Sequence, residues 1–111
     1  MKQYKQRYFI VKLFNNISKE DLIGSVEDTF KNLHGIISFS FSKLKLIYFD
    51  EKNNVAVFRC NNEFSDHFRT SILFLRKANV IIQAKIELTS GTLKKIKRKL
   101  NMIEKVKSGN N

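Results

Sequence analysis

The sequence is poor in the residues that build linkers and disulfides. Its 111 residues include no proline, four glycines and one cysteine, so there is little room for linkers, and the length predicts one domain. The lone Cys60 excludes an intrachain disulfide and is typical of a reducing compartment. Apolar runs such as 9–11 are too short to span a bilayer, and no apolar stretch of signal-peptide length follows residues 1–5. We expect a cytosolic or nuclear chain.

Acidic residues are also scarce. Ten Asp and Glu face 21 Lys and Arg, which leaves a formal net charge of +11. A charge of this size favours nucleic acid or an anionic membrane surface as the partner. Ten Phe and three Tyr supply a core, and a chain of this length buries about 65% of its unfolded surface, enough for one core.

Most of the excess charge lies near the C-terminus. Between Thr89 and Lys107, seven cations face one acid, Glu104, so this segment carries seven minus one, or +6. A Ser-Gly-Thr turn leads into a basic amphipathic helix, and turn N–H groups, a helix N-terminus and clustered cations all suit a polyanion. The candidate RNA-binding residues here are Ser90, Gly91, Thr92, Lys94, Lys95, Lys97, Arg98 and Lys99. The alternative is an ordinary solvated helix face.

The hydrophobic pattern predicts the order β-α-β-β-β-α-β-α. Ser18 is predicted to cap the first helix and Gly35 to end it. Alternation over 37–41 predicts a half-buried strand, and the region 36–49 forms either one strand or two. The last strand is predicted over 80–88. The helix after it carries an apolar stripe that is expected to dock on the domain, at Leu93, Ile96, Leu100, Ile103 and Val106.

This order predicts an α+β fold. The expected plan is a ferredoxin-like, RNA-recognition-like α/β sandwich, with an antiparallel sheet, two helices on one face and a C-terminal third helix. Residues 1–107 would form one RNA-binding domain, and 108–111 a frayed end.

Two arginines interrupt otherwise apolar strands. Arg7 and Arg59 either reach solvent along their stems or cluster to grip a phosphate or stack on a base. Tyr8, Phe49 and Phe58 could form a stacking platform, but the RNA-recognition consensus is absent, so core packing is favoured.

No catalytic or metal-binding pattern is present. Ser65, Asp66 and His67 are consecutive and cannot form a triad, since the imidazole must lie between the other two groups. Cys60 with two distant histidines lacks metal-ligand spacing. Ser90-Gly91-Thr92 lacks P-loop spacing.

Several short segments, taken together, resemble one known family. They are Arg7-Tyr8-Phe9, His34-Gly35, 46–50, Val57-Phe58-Arg59-Cys60, 68–73 and Ser90-Gly91-Thr92-Leu93-Lys94-Lys95. In this order they resemble the small basic Pop-family protein subunit of archaeal and eukaryotic ribonuclease P, which eukaryotes share with RNase MRP. The resemblance covers about residues 7 to 100. The family's Phe-Gly turn is His34-Gly35 here, and the acidic C-terminal extension of some eukaryotic members is lacking.

The resemblance implies a protein without catalytic residues of its own. The RNA subunit, with Mg²⁺, would remove the 5′ leader from precursor tRNA, and the protein would stabilise that RNA. The resemblance implies that the RNA-binding residues include Arg7, Arg59 and 90–95. Implied partners are the ribonuclease P RNA, the RNase MRP RNA, a TIM-barrel-like protein subunit and other basic subunits, with no membrane, small-molecule substrate or protein-bound cofactor. The location would be the nucleus or nucleolus in a eukaryote and the cytoplasm in an archaeon.

Two other functions remain open from the sequence. A stand-alone ferredoxin-like RNA- or ribosome-binding protein would bind RNA without partner proteins. A metabolite-sensing or enzymatic domain would need a pocket with converging titratable groups, for which the sequence offers no set. If the C-terminal segment is a dedicated RNA-binding site, replacing Lys94, Lys95 and Lys97 with Ala should weaken assembly with the RNA. The same changes at Lys43 and Lys45 should weaken it less.

Overall fold

The computed structural model describes residues 5–78 and 80–108, with side chains described as far as Met102. Four strands form the main sheet: β1 (Gln6–Leu13), β2 (Lys45–Asp50), β3 (Val55–Asn61) and β6 (Ala84–Ser90). Two short strands, β4 (Arg76–Lys77) and β5 (Val80–Ile81), form a separate hairpin. The helices are α1 (Lys19–His34), α2 (Ile36–Ser42), α3 (Ser65–Leu73) and α4 (Leu93–Ser108), with a 3-10 turn at Asn62–Phe64.

The main sheet is antiparallel, with strand order β2-β3-β1-β6. Together with α1 and α3, this order is the split βαβ, ferredoxin-like arrangement. The predicted fold class is therefore confirmed.

One face of the sheet holds the main core, under α1 and α3. Alternate residues of β1, among them Phe9 and Val11, meet Phe30 of α1 and Phe68 of α3, and all are fully buried. The rings of Phe9 and Phe68 lie 4.6 Å apart. This face contains most of the buried side chains, so it holds the domain together.

The opposite face is smaller and lies under α4. Ile10, Val55 and Val57 from the sheet form a second buried cluster with Ile96 of α4. Leu100 packs at its margin. The predicted docking of the C-terminal apolar stripe is confirmed for these two residues. Leu93 remains 38% exposed, and the side chains of Ile103 and Val106 lie outside those described.

The ends of α1 match the predicted capping. The side chain of Ser18 accepts a hydrogen bond from the N–H of Asp21 at 3.2 Å. At the other end Gly35 adopts φ +91°, a region that favours glycine. Its N–H donates to the carbonyl oxygen of Lys31 at 2.8 Å.

The predicted strand over 37–41 is wrong, because this segment is the short helix α2. Residues three apart share a helix face, and α2 turns Phe39 and Ser42 inward: Phe39 lies 5.7 Å from the ring of Phe30, and Ser42 is fully buried. Ile36, Ile37 and Phe41 remain exposed. A helix rises only about 1.5 Å per residue, so it keeps the segment beside α1 before β2 begins.

The predicted last strand over 80–88 is also wrong in its first half. Val80–Ile81 turns back to pair with Arg76–Lys77, and β6 begins only at Ala84. The N–H of Ile82 donates to the carbonyl oxygen of Leu75, and that of Gln83 donates to the Asn15 side chain. These bonds to other segments divert the chain from the sheet.

Among the described residues, no helix is long and apolar enough to cross a membrane. Of the predicted frayed end, 108–111, Ser108 is the last residue of α4, and the other three residues lie outside those described.

Candidate nucleic-acid interface

The connection between β6 and α4 is a turn closed by the side chain of Ser90. Its hydroxyl donates to the carbonyl oxygen of Thr92 at 3.0 Å and accepts from the Thr92 N–H at 3.1 Å. Ser90 is buried, whereas Gly91 and Thr92 are exposed. A hydroxyl committed to the backbone in this way shapes the turn. Ser90 thus sets the direction in which α4 leaves the sheet.

Gly91 is held close to Arg7. A Cβ atom at Gly91 would lie 3.0 Å from a terminal guanidinium nitrogen of Arg7, and the backbone of Gly91 does not require positive φ. The glycine therefore provides room for the arginine. The Arg7 Nε donates to the side-chain oxygen of Asn62 at 2.7 Å, which holds the guanidinium beside the turn.

Arg59 belongs to a row of residues that crosses the whole sheet. Strand pairing places Ser90 opposite Tyr8, Tyr8 opposite Arg59, and Arg59 opposite Lys45. Residues directly opposite each other share a face of the sheet, so strand register places these four residues on the face that carries α4. Lys45, on the edge strand, also lines a pocket beside α1. We call Ser90, Tyr8, Arg59 and Lys45 the basic row. The Nε of Arg59 is buried and has no hydrogen-bond partner among the described residues.

The two arginines lie at the same end of the sheet but on opposite faces. Arg7 is paired with Cys60 and shares the face of α1 and α3, whereas Arg59 shares the face of α4. The hypothesis that they form one cluster is thus replaced by a different arrangement. The Ser90 turn separates them, with Arg7 against Gly91 and Arg59 in the row that ends at Ser90.

Five cations of α4 whose side chains are described lie in one short stretch, from Lys94 to Lys99. Lys94, Lys95, Lys97 and Arg98 are exposed, and Lys99 is half-buried. Within the part of the chain whose side chains are described, the two ion pairs are Arg69–Asp66 and Lys77–Asp21, so none of the α4 cations has a described carboxylate within 4.0 Å. Unpaired, clustered cations are the arrangement that binds phosphates by releasing counterions.

Sequence reasoning missed Lys45 as part of this surface. Lys43 and Lys45 were expected to lie outside the binding site and to serve as controls. Strand pairing instead places Lys45 next to Arg59. The register of β2 on β3 carries this information, and no local pattern in the sequence reveals it. Of the three aromatics considered for stacking, Phe58 is buried and Phe49 packs on the main core, while half-buried Tyr8 lies on the α4 face.

The residues that could suggest catalysis have structural partners instead. The hydroxyl of Ser65 contacts the Asn62 side chain, Asp66 pairs with Arg69, and the carbonyl oxygen of His67 accepts from the Nε2 of His34 at 3.0 Å. Burial raises the pKa of the Cys60 thiol to about 12, which keeps it protonated and unreactive. Among the described residues, no group of three or more His, Cys, Asp or Glu could hold a metal ion.

Comparisons with known proteins identify a family and a similar fold. The sequence model of the Rpp14/Pop5 family matches residues 7–101. A chain of a solved structure described as "Cryo-EM structure of yeast Ribonuclease MRP" is similar in fold, with a TM-score of 0.66 and 15% sequence identity over 99% of this chain and 98% of that chain. At that identity the structural likeness concerns the fold. No curated protein sequence matches this chain.

Proposed function

The chain belongs to the Rpp14/Pop5 family as a non-catalytic protein subunit of the ribonuclease P and RNase MRP class, and we propose that it stabilises the RNA of such a particle. The RNA, with its own Mg²⁺, would perform the removal of the 5′ leader from precursor tRNA. The protein would supply countercharge where phosphates of the folded RNA come close together.

One observation carries this proposal: four cations at the start of α4, Lys94, Lys95, Lys97 and Arg98, are exposed and have no described carboxylate beside them. A closely folded RNA brings phosphates together, and their mutual repulsion opposes folding. A helix that presents several cations on one surface offsets this repulsion. If the complex has six to ten phosphate contacts, its affinity should fall by roughly 10³–10⁵-fold between about 50 and about 200 mM salt.

The proposal extends to partners and location. Membership in a ribonucleoprotein with other protein subunits follows from the family. A TIM-barrel-like subunit and other basic subunits are the partners we propose, with RNase MRP RNA as a second RNA. In a eukaryotic source the complex would be nuclear or nucleolar, and in an archaeal source cytoplasmic. The exposed apolar residues of α2, Ile36, Ile37 and Phe41, are available to a protein partner.

A pair of matched double variants tests the role of α4. The first is Lys94→Ala with Lys95→Ala. The second removes the same charge elsewhere, at the exposed Lys19 and Lys52. Each is measured for binding to the RNA that co-purifies with the tagged full-length chain, over a range of salt concentrations. The α4 pair should weaken binding and reduce the slope of log affinity against log salt by about 2.

Two results would contradict the proposal. Equal effects of the two double variants would show that only total charge matters and that α4 is no dedicated site. Co-purification of ribosomal RNA alone, without a ribonuclease P or MRP RNA and without other basic proteins, would favour a stand-alone RNA- or ribosome-binding protein.

A further inference from the structure

A slot lies beside α4, and the positive charge of the helix does not explain the mainly apolar lining of this slot. It has a volume of about 450 Å³ and lies between α4 and strands β2 and β3. Pockets for drug-sized ligands range from about 300 to 1,000 Å³. The lining is mainly apolar, with a lysine and an amide: Ile47, Tyr48, Val57, Leu93, Ile96, Leu100, Lys97 and Asn101.

A bulge in β2 creates one wall of the slot. The pairing of β2 with β3 shifts between Leu46, which lies opposite Phe58, and Tyr48, which lies opposite Val57. Because of this shift, Ile47 and Tyr48 are both on the α4 face, although neighbouring strand residues ordinarily point to opposite faces. Ile47 packs on the cluster beneath α4, while Tyr48 lines the slot.

The opposite wall is the side of α4 that faces β2. Ile96 is buried at 1% exposure and anchors the helix, while Leu93 remains 38% exposed and Tyr48 40% exposed. Part of the surface of Leu93 and part of that of Tyr48 are therefore in contact with water at the slot. A flat apolar group between them would remove both from water and could stack on the tyrosine ring.

The polar groups at the slot indicate which chemical class of ligand it could bind. Lys97 and Asn101 line the slot, and none of the carboxylates among the described side chains, which end at Met102, does. The lysine favours an anion, and the amide can both donate to and accept from the edge of a base. Arg59, whose buried Nε lacks a described partner, lies on the same face of β3 as Val57, two residues along the strand. That spacing is about 6.6 Å.

We propose that this slot binds one unpaired nucleotide of the RNA, a proposal that rests on the RNA-binding function proposed above. The base enters between Tyr48 and Leu93, beside Asn101. Its phosphate is held by Arg59 and Lys45 of the basic row, with Lys97 at the helix edge. A base inside a duplex is stacked on both faces and cannot enter, so the slot recognises single-stranded RNA.

The test compares two variants of one slot residue in the full-length chain. Tyr48→Leu keeps an apolar side chain but removes the aromatic face, whereas Tyr48→Phe retains it. The probes are a short unstructured RNA that carries a fluorescent adenine analogue and a blunt RNA duplex without unpaired bases. Tyr48→Leu should bind the single strand about 5- to 150-fold more weakly, the usual range for one stacked base. Its duplex binding should change by less than about twofold, since phosphate contacts remain.

Controls separate stacking from a general loss of structure. Phe14→Leu removes another exposed aromatic, one residue after the end of β1, and should leave both affinities unchanged. Tyr48→Phe, which keeps the aromatic face, should bind the single strand more tightly than Tyr48→Leu does. The fluorescence of the analogue should be quenched by the wild-type protein, which tests stacking even if Tyr48→Leu does not fold.

Several outcomes would overturn the slot proposal. They are an absence of quenching by the wild-type protein, an equal loss of single-strand and duplex binding in Tyr48→Leu, or no loss at all. If Tyr48→Leu instead weakens binding of a partner protein and leaves RNA binding intact, the slot takes an apolar side chain and the proposal is wrong. Failure of the slot is distinguishable from failure of the proposed function, because the Lys94 and Lys95 variants test the latter alone.

Discussion

Helices α1 and α4 are both 16 residues long and lie on opposite faces of one sheet, but their charges differ in sign. The α1 segment, 19–34, contains two cations, Lys19 and Lys31, and four acids, which gives two minus four, or −2. The α4 segment, 93–108, contains seven cations and Glu104, which gives +6. One face of the protein, the face that carries α4, therefore attracts polyanions strongly.

The two helices also differ in how they are held. On α1, Leu22, Val26 and Phe30 are fully buried in the main core. On α4, Ile96 is the fully buried side chain among the described residues 93–102. A helix that buries one large side chain contributes less to stability than one that buries three. The face that maintains the fold is therefore separated by the sheet from the face that we propose binds RNA.

The largest loss of stability is expected from a substitution that opens a cavity in the main core beside α1. Phe30→Ala removes a fully buried ring that contacts His34 and Phe39. It should lower the free energy of unfolding by about 3–5 kcal/mol, as measured by urea denaturation. Phe41→Ala, at a 63% exposed position on α2, should change it by less than about 0.5 kcal/mol. Similar losses for the two variants would show that α1 does not hold the core.

A smaller effect should follow a cavity on the α4 side. Ile96→Ala removes the buried anchor of α4 and should cost about 2–3 kcal/mol, near the lower end for such changes because α4 can settle toward the sheet. It should weaken RNA binding more than Phe30→Ala does at a temperature where both variants remain folded. Equal RNA binding by the two folded variants would mean that the position of α4 does not matter for the interface.

The smallest effect concerns pH and the end of α1. Burial, and then the nearby His67, holds the pKa of His34 below its ordinary value of 6.5. The unfolded chain therefore takes up this proton more readily, so stability falls as the pH is lowered through about 6.5. Unfolding free energies measured at about pH 7.5 and about pH 5.5 should differ less in His34→Gln than in the wild type. If the difference between the two pH values is the same in His34→Gln and in the wild type, His34 does not cause the pH dependence of stability.

Local patterns predicted the elements whose determinants are local. The Ser18 cap and the Gly35 stop were correct because capping depends on residues within one turn. The stripe at Ile96 and Leu100 was correct because helical spacing brings such residues to one face. The charge of the C-terminal segment was evident from composition.

The wrong predictions concern segments whose conformation depends on distant partners. The alternation at 37–41 is the period of a strand, but contacts of Phe39 with Phe30 favour a helix there. Val80 and Ile81 continue the β pattern of β6, but pairing with Arg76–Lys77 removes them from the sheet. In both places tertiary contacts outweigh a local propensity of modest strength.

The sequence by itself determined the class of fold, the excess of positive charge and its concentration in one C-terminal segment, because composition and periodicity are local properties. Only the tertiary structure decided which cations share a surface. Strand register aligns Lys45 with Arg59 across β2 and β3, and the bulge turns Tyr48 toward α4. A one-residue change in register would move these side chains to the other face. The basic row and the slot are therefore products of pairing between residues far apart in the chain.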